Sequence, residues 1–217
     1  TTSDTAAGAA ASYAGESYGM SVVSTSTNTI GGYSSNAWSR NNAGNSDSSS
    51  GWSNAGNVVS LFKDGGTLAE AATLKSLDTS GFTLNWGTSN SGRLVIINYV
   101  AIGGDAITNA TTSTFTITNA SGNQTVSGLG FQPDFVFFLP VSVHNGAAIA
   151  ANTYSTGVSI AAFNMGFAAA TSTGISQGAI SICDEDGETA AQTTGYQIDD
   201  SAIIVSVEEE NNCSNVD

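Results

Sequence analysis

The first and last quarters of this 217-residue chain read as two versions of one unit, and no other feature narrows its folding choices as much. Tyr18-Gly19-Met20 aligns with Met165-Gly166-Phe167 at an offset of 147. Ser24-Thr25-Ser26 then falls on Thr171-Ser172-Thr173, Gly31 on Gly178, Gly32 on Ala179 and Tyr33 on Ile180. After a three-residue length change in a loop, Gly51-Trp52 lies on Gly195-Tyr196 and Asn57-Val-Val-Ser-Leu61 on Ser201-Ala-Ile-Ile-Val205, at an offset of 144. Glycines, an aromatic and an apolar strand recur in the same order with one small gap, as a duplicated supersecondary unit would leave them. Two strand-turn-strand-loop-strand units flanking a central segment predict an all-β domain, an antiparallel β-sandwich, jelly-roll-like, with internal pseudo-duplication. The domain spans residues 19–207, with approximate repeats at 19–62 and 166–207. Residues 1–18 read as an arm or first edge strand, and 208–217 as an acidic tail.

Composition supports extended chain over helix. The sequence holds 31 Ser, 25 Thr, 25 Gly and 2 Pro, and Lys, Glu, Leu and Arg, which favour helices, are scarce. Short β-rich runs recur between turn signals. Phe82-Thr-Leu-Asn-Trp86 and Phe115-Thr-Ile-Thr alternate with period two and read as half-buried, with Trp86 in the core. The unbroken apolar runs Leu94-Val-Ile-Ile and Phe135-Val-Phe-Phe-Leu read as inner strands covered on both sides. The best helix candidate is Gly66-Thr-Leu-Ala-Glu-Ala-Ala-Thr-Leu-Lys75, which reads equally as a loop and a strand.

Charge excludes one class of partner. Only 10% of residues are charged, against about 25% in ordinary domains. The net charge of -14 comes from missing bases: Arg40, Lys63, Lys75 and Arg93 are all there are, and residues 94–217 carry twelve acidic groups and no basic one. Such a chain does not bind nucleic acid by neutralising phosphates, and an anionic membrane surface repels its second half. No apolar run approaches the roughly 20 residues of a helical membrane span. The chain begins at Thr1, which suggests a processed protein or a section of a longer one, and either suits an exported or assembled particle component.

Ser76-Leu-Asp-Thr-Ser-Gly-Phe-Thr-Leu-Asn-Trp86 followed by Tyr99-Val-Ala-Ile-Gly-Gly104, and Gly128-Leu-Gly-Phe-Gln-Pro-Asp-Phe-Val136, resemble modules of tailed-bacteriophage virion structural proteins. Those modules open on a GFQPD strand, continue through an acidic turn and a tyrosine-bearing strand, and close on GFTLNW and ALGG strings. Asp184-Glu185-Asp186 and Tyr196-Gln197 stand at the intermediate points, so the resemblance covers roughly residues 19–207. It implies a β-rich virion or receptor-facing particle protein, extracellular, with no catalytic residues to carry over. Relative to the pattern, the first unit lacks its GFQPD opening and the second lacks its GFTLNW-like closing strands. A half-unit at each end predicts exposed strand edges for a homo-oligomer partner or another virion protein to complete.

Chemistry-bearing residues are few. His144, the single histidine, sits where a strand runs into a turn without a nucleophile elbow, so it reads as a turn residue and the chain as no enzyme. Asp184, Asp186 and Glu188, in the run Asp184-Glu-Asp-Gly-Glu188, supply hard oxygen ligands that suit Ca²⁺, and a bare acidic turn accounts for them equally; no other cofactor is expected. Trp38 and Trp52 are read near loops, where aromatic faces suit a carbohydrate ligand or a subunit contact. Cys183 and Cys213 form either one disulfide or two free thiols. The expected function is a non-enzymatic virion structural protein, an exterior decoration, fibre or spike subunit acting by self-assembly. The alternative is a carbohydrate-binding adhesin of a viral or bacterial surface, and a polysaccharide-cleaving enzyme stands third.

Overall fold

The computed structural model describes residues 2–4, 13–23, 30–42, 45–53, 56–63, 67–89, 97–117, 121–141, 143–144, 147–148, 153–154, 160–185, 193–209 and 212–216. These residues contain no helix. Their strands, in chain order, are β1 (Thr2–Asp4), β2 (Tyr13–Val23), β3 (Ile30–Asn42), β4 (Asn45–Ser53), β5 (Asn57–Lys63), β6 (Thr67–Asp78), β7 (Gly81–Thr88) and β8 (Phe135–Phe138). They continue as β9 (Val143–His144), β10 (Ala147–Ala148), β11 (Thr153–Tyr154), β12 (Ile160–Thr171), β13 (Gly174–Glu185), β14 (Thr193–Ile198), β15 (Val205–Glu209) and β16 (Asn212–Val216). The protein is all-β.

Two antiparallel meanders dominate. The first is β2-β3-β4, with β1 outside β2 and β11 outside β4; the second is β12-β13-β14, with β8 outside β12. A three-stranded sheet, β5-β6-β7, follows the first meander, and the hairpin β15-β16 follows the second. That hairpin shares a sheet with β9 and β10 through one parallel pairing, Val207 with Val143. Residues 2–4 pair antiparallel with 13–15, so the N-terminal stretch forms an edge strand. The tail residues 208–209 and 212–216 belong to β15 and β16.

The segment read as helix or strand is β6. Its helix-forming Ala, Leu, Glu and Lys are overridden by pairing on both sides, to β5 and to β7, and Ala71, Ala72 and Leu74 are buried there. Tertiary pairing outweighs a few tenths of a kcal/mol of local preference per residue. Phe135–Phe138 was expected to be an inner strand, but β8 is the edge of its sheet, and Phe135 and Phe137 are exposed. Trp86 lies on β7, opposite Ala72, and is 43% exposed, so it is not a core residue. The edge strand β7 has a partner on one side only, which leaves Phe82 exposed as well.

The same local contact ties each meander to the chain that follows it. A methyl built on Gly19 of β2 would overlap the carbonyl of Val58 on β5, and a methyl on Gly166 of β12 would overlap the carbonyl of Ala202. Neither glycine has a positive φ, so what each position demands is the absence of a side chain, not a special backbone conformation. Gly32 on β3 likewise admits the carbonyl of Gly56. Many of the buried side chains are small, Ala71, Ala72, Ala162, Ala179, Ser34, Ser60 and Ser181 among them, beside the larger Leu74, Phe163, Asn164, Ile204 and Val205. The hydroxyls of Ser34 and Ser60 bond to each other, and Ser181 Oγ donates to Asn164 Oδ1 at 2.7 Å, so these buried polar groups are satisfied.

These crossings predict a sharp contrast among glycines. Gly19→Ala or Gly166→Ala must push backbone away from backbone and should cost about 1–3 kcal/mol, lowering Tm by about 2–4 °C per kcal/mol in a chain of this size. Gly81→Ala, where nothing lies within 4 Å, should stay within about 0.5 kcal/mol of the parent. Urea titrations of the three variants check this ranking.

Candidate interaction surface

Between β7 and β8 the described residues 97–117 and 121–134 belong to no sheet. Their sequence is nonetheless strand-like, and most of their large apolar side chains are exposed. Tyr99 is 69% exposed, Val100 87% and Ile102 78%, and Ile107, Phe115, Ile117 and Val126 are exposed too. Leu77 and Phe82 of the β6–β7 hairpin are exposed as well, as are Phe135 and Phe137 of β8.

Specific contacts hold the run against the body. Phe82 and Tyr99 meet edge to face at 5.1 Å between centroids, as do Phe115 and Phe138 at 6.4 Å. A turn closes from Ile107 N to Gly104 O at 3.1 Å, with Gly104 at φ 117°, where a side chain would be strained. The side chain of Thr112 rests over Gly31 of β3, where a methyl would meet its Oγ1. Gln124 Nε2 donates to Thr116 O at 2.7 Å, and Ala170 N to Asp134 O at 2.7 Å, which delivers the run to β8.

The hairpin that begins the surface is shaped by a carboxylate. Asp78 accepts from Thr83 Oγ1 at 2.8 Å and from Ser76 Oγ at 2.9 Å, bracing the Asp78–Gly81 turn beside Leu77 and Phe82. Those bonds, Thr83 first and Ser76 second, hold its carboxyl below the ordinary value of 3.8. The charge of Lys75 adds to them and slight desolvation opposes them.

The other candidate site residues are spread over the fold. Asp184 and Glu185 are the last two positions of β13 and therefore fall on opposite faces of its sheet, while Asp186 and Glu188 lie outside the described residues. Among the described residues no group of three His, Cys, Asp or Glu is gathered. Trp38 and Trp52 lie within strands, not in loops. Trp38 pairs with Ser49 and Trp52 with Ser35, and since 35 and 38 differ by an odd number the two tryptophan positions fall on opposite faces. His144 ends β9, opposite Ala147. Cys183 is fully buried and disulfide-bonded; the chain's other cysteine, Cys213, lies on β16 opposite Glu208. Sequence reasoning singled out Tyr99–Gly104 and Gly128–Val136 as motifs but missed their exposure, because an apolar run reads the same whether it is buried by its own chain or left open.

No protein family, characterised protein or solved structure is matched by this chain.

The Asp78 brace has a defined pH signature. Its folded pKa is depressed, so its contribution is present above the unfolded pKa and is lost as pH falls through the folded value. NMR shifts of Ser76 and Thr83 should therefore move together under acid, below the range where an ordinary aspartate titrates. Asp78→Ala should abolish that transition and loosen the hairpin at pH values above it, with parent and variant converging below it.

Proposed function

We propose that the chain is a non-enzymatic structural subunit of a virus particle, an exterior decoration, fibre or spike protein that acts by self-assembly and surface presentation. The observation that carries this reading is the set of large apolar side chains exposed among the described residues between Leu77 and Phe137, where Phe82 meets Tyr99 edge to face beside Val100 and Ile102. Exposed apolar side chains gathered in this way mark sites of protein association.

Further support comes from the sparse chemistry and the low charge density, which suit a protein that works by contact. The resemblance of Ser76–Trp86, Tyr99–Gly104 and Gly128–Val136 to tailed-phage virion modules points to the particle exterior. Many weak apolar and strand-edge contacts, repeated over an array, add to a stable assembly without any one being strong.

Sedimentation over a range of concentrations should show multimers. Changing Tyr99 and Val100 together to Asp should disperse them while leaving the far-ultraviolet circular dichroism intact, since both side chains are exposed. A parent chain that sediments as a monomer up to millimolar concentration would overturn the proposal.

A further inference from the structure

The two meanders correspond residue by residue, and at one place the correspondence leaves a gap. Setting Gly19 on Gly166 puts Ser17 on Asn164. The register then puts their β-ladder partners on one another, Ser34 on Ala179 and Asn36 on Ser181. The chain after each meander follows suit, with Val58 on Ala202 against the two glycines. The pairs Ser17–Asn36 and Asn164–Ser181 are the same two residue types with the strands exchanged. Gly32 admits the carbonyl of Gly56, and its counterpart Gln177 donates Nε2 to the carbonyl of Asp200, the counterpart of Gly56. The buried Ser34–Ser60 hydroxyl pair has as its counterpart the buried apolar pair Ala179 and Ile204.

In the second meander the outer flank of β12 from Gly166 to Ala169 is filled by β8, with Phe138 opposite Gly166 and Phe135 opposite Ala169. The corresponding residues of β2 are Gly19 to Val22. There β1 reaches only Tyr13 to Gly15, and no described strand pairs with Gly19–Val22 on that flank. The stretch Gly19-Met-Ser-Val-Val23 carries no charge and no proline, and its ladder with β3 shows no bulge. It thus lacks the charges, proline and bulge by which many sheet edges are protected.

The geometry points to Gly19–Val22 as an acceptor for a strand supplied in trans by a neighbouring subunit, an uncharged extended segment with the aromatic-valine-aromatic pattern of Phe135–Phe138. This deepens the assembly reading and rests on it. The docked strand runs antiparallel to β2, takes the backbone bonds that β8 takes from β12, and turns alternate side chains inward as Val136 and Phe138 do. The stretch matched to β8 is four residues, the length of β8 itself, and Glu16 to Tyr18 separate it from the end of β1 opposite Gly15.

The test adds a synthetic peptide of residues 131–140 to the full chain and follows amide hydrogen exchange. Outward-facing amides within Gly19–Val22 should exchange about tenfold more slowly or better with peptide in excess, with no change at β13. Peptides carrying Val136→Pro or Phe137→Pro separate ladder pairing from adsorption. Adjacent residues point their N–H groups to opposite sides, so one of the two removes a ladder donor and should lose the protection. Protection that survives both substitutions, or that maps to the exposed run and not to Gly19–Val22, overturns the inference. A chain that self-assembles but shows no protection at Gly19–Val22 sinks this inference alone; a monomer that takes up the peptide sinks the assembly reading alone.

Discussion

The structure depends on a backbone carbonyl placed directly on a strand that has no side chain at that point. Val58 over Gly19 and Ala202 over Gly166 bring two layers of chain closer than any pair of ordinary residues would allow. Small groups recur among the buried residues, Ala71, Ala72, Ala162, Ala179, Ser34, Ser60 and Ser181, and Ala179 lies directly beside the crossing at Gly166. The richness in Gly, Ala and Ser is therefore a packing requirement as well as a strand preference. It also limits how much apolar area the body can bury, because alanine removes far less surface from water than leucine or phenylalanine.

A core of small groups tolerates hydroxyls and amides when they are paired with one another. The crossing holds a serine pair in one unit and an alanine–isoleucine pair in the other, both buried. The exchange is possible because both members change together. Changing one alone leaves a buried hydroxyl without its partner, at a cost of about 1–3 kcal/mol. The Asn164–Ser181 bond shows the same logic. These paired hydroxyls and amides supply directional bonds inside that carry no charge.

Gly19, Gly166 and the segments around Val58 and Ala202 stood out in the sequence because a required glycine and the apolar segment lying over it leave a spaced signature. The register between them did not. The sequence alignment set Gly31 on Gly178, whereas the ladders set Ser34 on Ala179, two residues away. Two more residues lie between Val23 and Ile30 than between Ala170 and Ile175, and a chance glycine match concealed that difference. The third strand shifts by one residue for a related reason, with Gly51 corresponding to Tyr196 and not to Gly195. Burial was the least legible property. Trp86 and Phe135–Phe138 have core-like sequences, yet both lie on edge strands, and no local pattern tells a strand which of its sides will be covered. The β6 segment shows the converse, where helix-forming residues become the most buried strand of their sheet because partners exist on both sides.

Charge decides where association is cheapest. A net charge of -14 sets copies of the chain against each other, and the repulsion weakens only over a Debye length of about 8–10 Å in physiological salt. The twelve carboxylates beyond residue 93 are not spread evenly: the apolar run from 97 to 137 contains only Asp105 and Asp134, while 184–188, 199–200 and 208–210 hold nine of the rest. The widest apolar surface is therefore also among the least charged parts of the second half. Two copies that meet there bury hydrophobic area without forcing acidic clusters together, and a partner edge at Gly19–Val22, itself uncharged, adds no such penalty. Rising salt should matter less at these surfaces than at the acidic clusters, since they hold little charge to screen. In the proposed assembly, apolar contact and backbone pairing are the forces left to hold copies together, and both are short-ranged, so they would act only once the surfaces are in register.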